Sequence, residues 1–190
     1  MHSTEPDSPC TLGTPLLALA RDAIRHGLVH GRPPALDLDR YQPELTLPRA
    51  SFVTLKLDGR LRGCIGSLEP CRPLAMDVAH NAYAAAFRDP RFPPVVDGEL
   101  ERLAIRVALL TPPVPLSFAS EAELLAQLVP FEDGLILADG GCRGTFLPAV
   151  WETLPEPAQF LEQLKLKAGL PRHHWSPTLK VWRYRTEVVG

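Results

Sequence analysis

The chain has 190 residues, of which 45% are hydrophobic and 22% charged, the mix of an ordinary folded domain, which excludes a disordered or fibrous chain. Twenty Lys and Arg stand against 22 Asp and Glu, and a formal charge of -2 offers no excess positive field to a phosphate backbone, so nucleic acid is not an expected partner. Four Cys, at 10, 64, 71 and 142, are too few for a disulfide scaffold and lack C-x2-C zinc spacing; with no signal-like opening and no apolar run of about 18 residues, the chain reads as cytoplasmic, with reduced thiols, no membrane segment and no metal site.

Residues 1–13 read as a loose tail. A first helix follows to about Leu28, with Thr14 as N-cap, Pro15 at the first helical position and an apolar stripe through Leu16, Leu17, Ala20, Ala23, Ile24 and Leu28. After a Pro-rich loop, SFVTLKL, Asp58-Gly59 and RLRGCIGSL read as strand, turn and strand. A two-residue turn puts Leu57 opposite Arg60, Leu55 opposite Arg62 and Val53 opposite Cys64. Pro73 opens a second helix that runs to about Arg88; Ala82, Ala85 and Ala86 let a neighbour approach it closely, and Asp89-Pro90 ends it. LAIRVALL at 103–110 is a strand.

The order then recurs. Ser120 and Glu123 form a capping-box pattern before a short helix, GLILA and CRGTFL flank a DGG turn, Pro157 starts a helix ending near Gly169, and LKVWRYRTEVV reads as one closing strand. DGRLRGCI at 58–65 aligns with DGGCRGTF at 139–146, sharing Asp-Gly and Arg-Gly at the same spacing. The expectation is therefore an α+β domain over 14–190, a duplicated α-β-β-α-β unit with pseudo-repeats at about 14–115 and 116–190. Its six strands form a mostly antiparallel sheet, shared between the halves or closed in a barrel-like way.

Alternation along the second strand sets Arg62 and Cys64 on one face and Leu61, Gly63 and Ile65 on the other. A nearby cation lowers a thiol pKa and apolar burial raises it, so the motif is compatible with a reactive sulfur or with an inert one. Gly63 and Gly66 flank the Cys on a strand, where they weaken packing unless a bulge, a close-approaching backbone or a ligand occupies the space they leave, and they suggest an accessible groove. In the second copy Arg143 matches Arg62 and Thr145 matches Cys64, which keeps the cation and replaces the thiol. Cys64 is the candidate nucleophile, and His80, with Asp77 one turn before it on the polar side of its helix, the candidate base. Arg62, Gly63, Gly66, Arg88, Arg143 and Thr145 are the candidate ligand contacts. The plainer alternatives are a buried strand Cys that only packs, Arg62 and Arg143 paired with Asp58 and Asp139, and Arg88, Asp89 and Arg91 anchoring a Pro-fixed loop. His26 and His30 lack a third ligand, and His173 and His174 read as structural. P-loop, G-x-S-x-G and H-E-x-x-H patterns are absent.

LRGCIG at 61–66, RDPRFPPV at 88–95, LTPPVPL at 110–116, GLIL at 134–137, GTFLPAVW at 144–151 and FLEQLKLKAGLP at 160–171 together resemble the AMMECR-type domain family, whose bacterial members belong to the AmmeMemoRadiSam system. The resemblance covers nearly the whole chain. It implies an α+β fold with a duplicated unit, and as partners a Memo-like metalloprotein and a radical SAM protein; it names no cofactor and no settled reaction. Two functions stay open. One is an enzyme component in which Cys64 attacks or cycles redox state, Arg62 holds anionic charge and His80 moves protons. The other is a non-catalytic module that binds a small molecule or a partner, with Cys64 structural.

Overall fold

The computed structural model describes residues 10–190, which divide into two compact units: one reaches Leu110 and takes back Glu187–Gly190, the other is Thr111–Thr186. In chain order the helices are α1 (Cys10–His30), α2 (Pro43–Thr46), α3 (Leu74–Phe87), α4 (Glu121–Gln127) and α5 (Pro157–Lys167). The strands are β1 (Ser51–Leu57), β2 (Arg60–Gly66), β3 (Leu103–Leu110), β4 (Val114–Pro115), β5 (Gly134–Asp139), β6 (Cys142–Phe146), β7 (Lys180–Tyr184) and β8 (Thr186–Val189). Residues 1–9 of the expected tail lie outside the described residues, and residues 10–13 are already helical. Pro15 therefore sits inside α1, not at its start. It lacks the N–H that would have bonded a carbonyl of the opening turn.

In the first unit a sheet of order β2-β1-β3-β8 carries α1 and α3 on one face. Alternation does the sorting: Val53, Leu55, Val107 and Leu109 are sealed against Leu16, Ile24, Val78 and Ala82, while Phe52, Thr54, Lys56, Ala104, Arg106 and Ala108 take the other face. Each sealed aliphatic side chain contributes roughly 1.5–3 kcal/mol relative to exposure. The hairpin turn is Asp58-Gly59, both left-handed at φ 50 and 80, the requirement of a tight turn matched to strand twist. Asp77 is not on a polar face of α3 as expected, but 1% exposed. Its carboxylate accepts from Ser51 N (2.9 Å) and Oγ (2.7 Å), Ser67 Oγ (2.7 Å), Arg72 Nε (2.9 Å) and Asn81 Nδ2 (2.8 Å), tying helix to strand.

The second unit has its own sheet, of order β4-β7-β5-β6, with Leu135, Leu137 and Val181 packed on Phe160, Leu161 and Leu164 of α5. Trp151 stacks on Phe160 at 3.8 Å and gives its indole N–H to Asp133 O at 2.7 Å. Ser120 caps α4 by accepting from Glu123 N, while Glu123 reaches back to Ala119 N at 2.8 Å. Lys165, fully buried, gives its ammonium to Glu121 at 2.7 Å.

Among the described residues eight strands thus form two antiparallel four-stranded sheets, not six strands in a shared sheet, and neither sheet closes into a barrel. The anticipated single closing strand is two. Its first half pairs with β5; Arg185 interrupts it, giving its N–H to Thr111 Oγ1 at 2.8 Å; and the remainder joins the first sheet beside β3.

Candidate functional site

The LRGCIG segment lies on β2, an edge strand of the first sheet. One residue more than a regular ladder needs is inserted between Leu61 and Gly63, so the register runs Leu57 to Arg60, Lys56 to Leu61, Leu55 to Gly63 and Thr54 to Cys64. Arg62 is the bulged residue. Cys64 consequently faces Thr54 instead of Val53, on the sheet face turned away from α1 and α3, half-buried and outside the hydrophobic core. Its Sγ lies 3.2 Å from Thr54 Oγ1.

The backbone of Cys64 points out of the open edge, where a further strand would bind. The loop after α3 takes that place. Asp89 accepts from Cys64 N at 2.9 Å, Arg91 donates Nη2 to Cys64 O at 3.2 Å, and the two side chains pair through Nε to Oδ1 (2.9 Å) and Nη2 to Oδ2 (2.7 Å). Asp89 is 4% exposed. The Arg91 guanidinium, helped by the Cys64 and Arg91 N–H groups and opposed by burial, holds its carboxyl well below the usual carboxylate range.

Arg62 is occupied in the same region. It grips Glu99 through Nε and Nη2, each at 2.9 Å, and donates to Pro93 O (2.7 Å) and Pro94 O (3.2 Å). With 11% of its side chain exposed it braces the FPP stretch to β2, and its carboxylate partner is Glu99; Asp58 pairs with Arg102. The two glycines do not leave a groove. A Cβ on Gly63 would lie 2.1 Å from Ala85 O on α3, and one on Gly66 would lie 2.2 Å from the Phe52 ring. Both gaps are filled by the protein itself.

His80 belongs to α3, which packs on the Gly63 side of the sheet, so the sheet stands between it and the thiol and it is not placed to act as its base. Burial and the nearby Arg72 lower its pKa against the opposing pull of Asp77. Arg88 follows the last turn of α3 with an exposed side chain, its N–H closing on Ala84 O. In the second unit Leu137 opposes Gly144 as Leu55 opposes Gly63, and a Cβ on Gly144 would lie 2.9 Å from Ala168. Arg143 faces Ala138 across the ladder and Thr145 faces Ile136, its hydroxyl 3.2 Å from Tyr184 Oη. Asp139 does not serve Arg143 in the way anticipated. It accepts from Ser176 (2.6 Å), Thr178 (2.7 Å) and His174 (2.5 Å), pinning the loop before β7, in keeping with a structural role for His174.

Two residues escaped the sequence reading: Thr54, hidden by the bulge, and Arg106, which pairs with Thr54 from the β3 side. The signal for Arg106 was present, since it is the one charged residue in the LAIRVALL strand. A hollow of about 590 Å³ lined by Asp139, Thr178, Lys180 and Trp182 and one of about 360 Å³ lined by Leu17, Arg21 and Ile105 do not include Cys64. Among the described residues, no group of three or more His, Cys, Asp and Glu side chains is gathered to hold a metal ion, and no helix is long and apolar enough to cross a membrane.

Comparison with known proteins adds a family. Residues 17–189 match the family model described as AMMECR1. A protein of Methanothermobacter thermautotrophicus is 37% identical over 183 residues, spanning 93% of this chain and 92% of that protein. One from Thermotoga maritima is 38% identical, spanning 86% and 88%. The crystal structure of the uncharacterized protein PH0010 from Pyrococcus horikoshii superposes with a TM-score of 0.78 at 34% identity, covering 94% of this chain and 90% of that one.

Proposed function

The chain belongs to the AMMECR1 family, and from that premise we propose that it is a binding module, not an enzyme, whose recognition point is the LRGCIG segment at Cys64 and whose partners are a Memo-like metalloprotein and a radical SAM protein in the cytoplasm. The observation that carries the reading is the Asp89–Arg91 clamp, which fixes both backbone polar groups of Cys64 while its sulfur stays outside the core. A cysteine retained as a small hydrophobe needs no such brace, whereas a contact group does, because loose rotamers and a mobile edge strand cost binding energy. Acid–base chemistry lacks its second half. The sulfur touches a Thr hydroxyl, His80 belongs to the other side of the sheet, and Arg62 is committed to Glu99. The matched Gly63 and Gly144, each under a helix, support the reading that the two hairpins descend from one duplicated unit.

Titration of Cys64 alkylation against pH, combined with calorimetry of partner binding for the parent and Cys64→Ser proteins, tests this. The expected result is alkylation of Cys64 no faster at neutral pH than that of a free-cysteine peptide, with partner affinity falling in the variant. A thiol ionising below about 7, together with unchanged partner binding and a lost pathway activity in Cys64→Ser, would replace the binding module by a thiolate enzyme.

A further inference from the structure

Across the face of the first sheet opposite its helices, three adjacent strands present Cys64, Thr54 and Arg106 in a single row. Thr54 is the shared neighbour of the other two. Arg106 is exposed, and its side chain has no hydrogen-bond or ion-pair partner among the described residues. Ala104 and Ala108 lie on either side of it on the same face of β3, so nothing bulky on its own strand walls it off.

The side-chain carboxylates named above do not cancel it, and Glu187 on the neighbouring β8 is paired with Arg49. Asp89 is neutralised by Arg91, Glu99 by Arg62 and Asp58 by Arg102, while Lys56 lies two residues from Thr54 on the same face. Every nearby carboxylate named above is already spoken for, and an unpaired guanidinium is left beside a hydroxyl and a thiol.

We propose that this row is an anion-recognition surface, at which Arg106 and Thr54 hold the carboxylate of a small organic acid whose remaining atoms lie against Cys64. One guanidinium and one hydroxyl match the charge and the acceptor count of one carboxylate. A phosphate dianion calls for a second charge or a nest of backbone N–H groups, and the interior of a paired sheet offers no such nest. The proposal rests on the reading of Cys64 as the recognition point and supplies the chemical class of what is recognised.

The test uses the full chain with Cys10, Cys71 and Cys142 changed to Ser, leaving Cys64 as the single thiol. Its rate of reaction is measured with 5,5′-dithiobis(2-nitrobenzoate), which carries carboxylates, and with neutral 2,2′-dithiodipyridine. Any change in the thiol's own ionisation affects both rates alike, so their ratio reports the field and the carboxylate contact. Adjacent strands are about 4.8 Å apart, which puts a guanidinium two strands away about 7 Å from the sulfur once its side chain reaches back. One unit charge at that distance, in a surface dielectric between about 40 and 80, changes the ratio about three- to sevenfold.

Arg106→Ala is expected to lower the anionic-to-neutral ratio by that factor, Arg106→Lys to retain most of it, and high salt to compress the difference between parent and Arg106→Ala. A ratio in Arg106→Ala equal to that of the parent overturns the anion surface while leaving the Cys64 site standing. Failure of the neutral reagent to modify Cys64 in the folded protein overturns the site itself.

Discussion

Replacing Gly63 by Ala examines the contact that seats β2 on α3. The added Cβ meets Ala85 O at 2.1 Å and the Ala85 carbonyl carbon at 3.0 Å. An ordinary contact is about 3.4–4 Å, so strand or helix must move by more than an ångström. Neither yields easily: the oxygen belongs to the hydrogen-bonded ladder of α3, and β2 is clamped on its far side by Asp89 and Arg91. Overpacking a core costs about 1–3 kcal/mol, and a backbone neighbour puts Gly63→Ala at the upper end, near about 3 kcal/mol. Gly144→Ala is the internal control. Its nearest atoms, Ala168 Cβ and N, lie at 2.9 Å, so the cost is about 1–2 kcal/mol. Urea denaturation measures both. Because the obstructing atom at Gly63 is a carbonyl oxygen, adding Ala85→Gly should recover nothing. A Gly63→Ala protein within about 0.5 kcal/mol of the parent, a larger cost at Gly144, or rescue by Ala85→Gly would refute the packing argument.

The Asp89 clamp has a pH signature. Its pKa is depressed by Arg91, so the stability it contributes is present above the unfolded value near about 3.9 and is lost as pH falls towards the folded one. The difference in unfolding free energy between the parent and Asp89→Asn should therefore be constant above about pH 5 and shrink below about pH 4; a difference that does not change over that range in urea titrations rejects the clamp as an ion pair. Asp77→Ala removes at once the acceptor of the buried Ser51 N–H and hydroxyl and of the half-buried Ser67 hydroxyl. Since one unsatisfied buried group costs about 1–3 kcal/mol, the variant should lose more than about 3 kcal/mol or fail to fold, whereas loss below about 1 kcal/mol by thermal denaturation would mean water replaces the carboxylate without penalty.

What could be read in advance was what neighbours in sequence decide. Asp58-Gly59 demands a tight turn, the apolar alternation of LAIRVALL makes a strand with one buried face, and Ala82, Ala85 and Ala86 announce a close approach that Gly63 completes. What could not be read depends on residues far away. The bulge at Arg62 follows from seating Gly63 under Ala85 while Arg62 reaches Glu99, and it moved Cys64 from Val53 to Thr54. Asp77 is polar at a helical position that looks solvated until Ser51 and Ser67 arrive from other segments. The apolar pattern of LKVWRYRTEVV continues through Arg185, so only the two sheets reveal that the strand changes partners there. His80 has the right chemistry on the wrong side of a sheet, which spacing along the chain does not disclose.

The return of β8 to the first sheet sets an order of events during synthesis. Residues 111–186 must leave the ribosome before Glu187–Gly190 can cover the edge of β3, so the first unit waits, with an unfinished border, for the second to be made. A fragment cut at Leu110 therefore ends with β3 as a bare template for foreign strands, and self-association of that fragment is the price of a chain that doubles back to finish what it began.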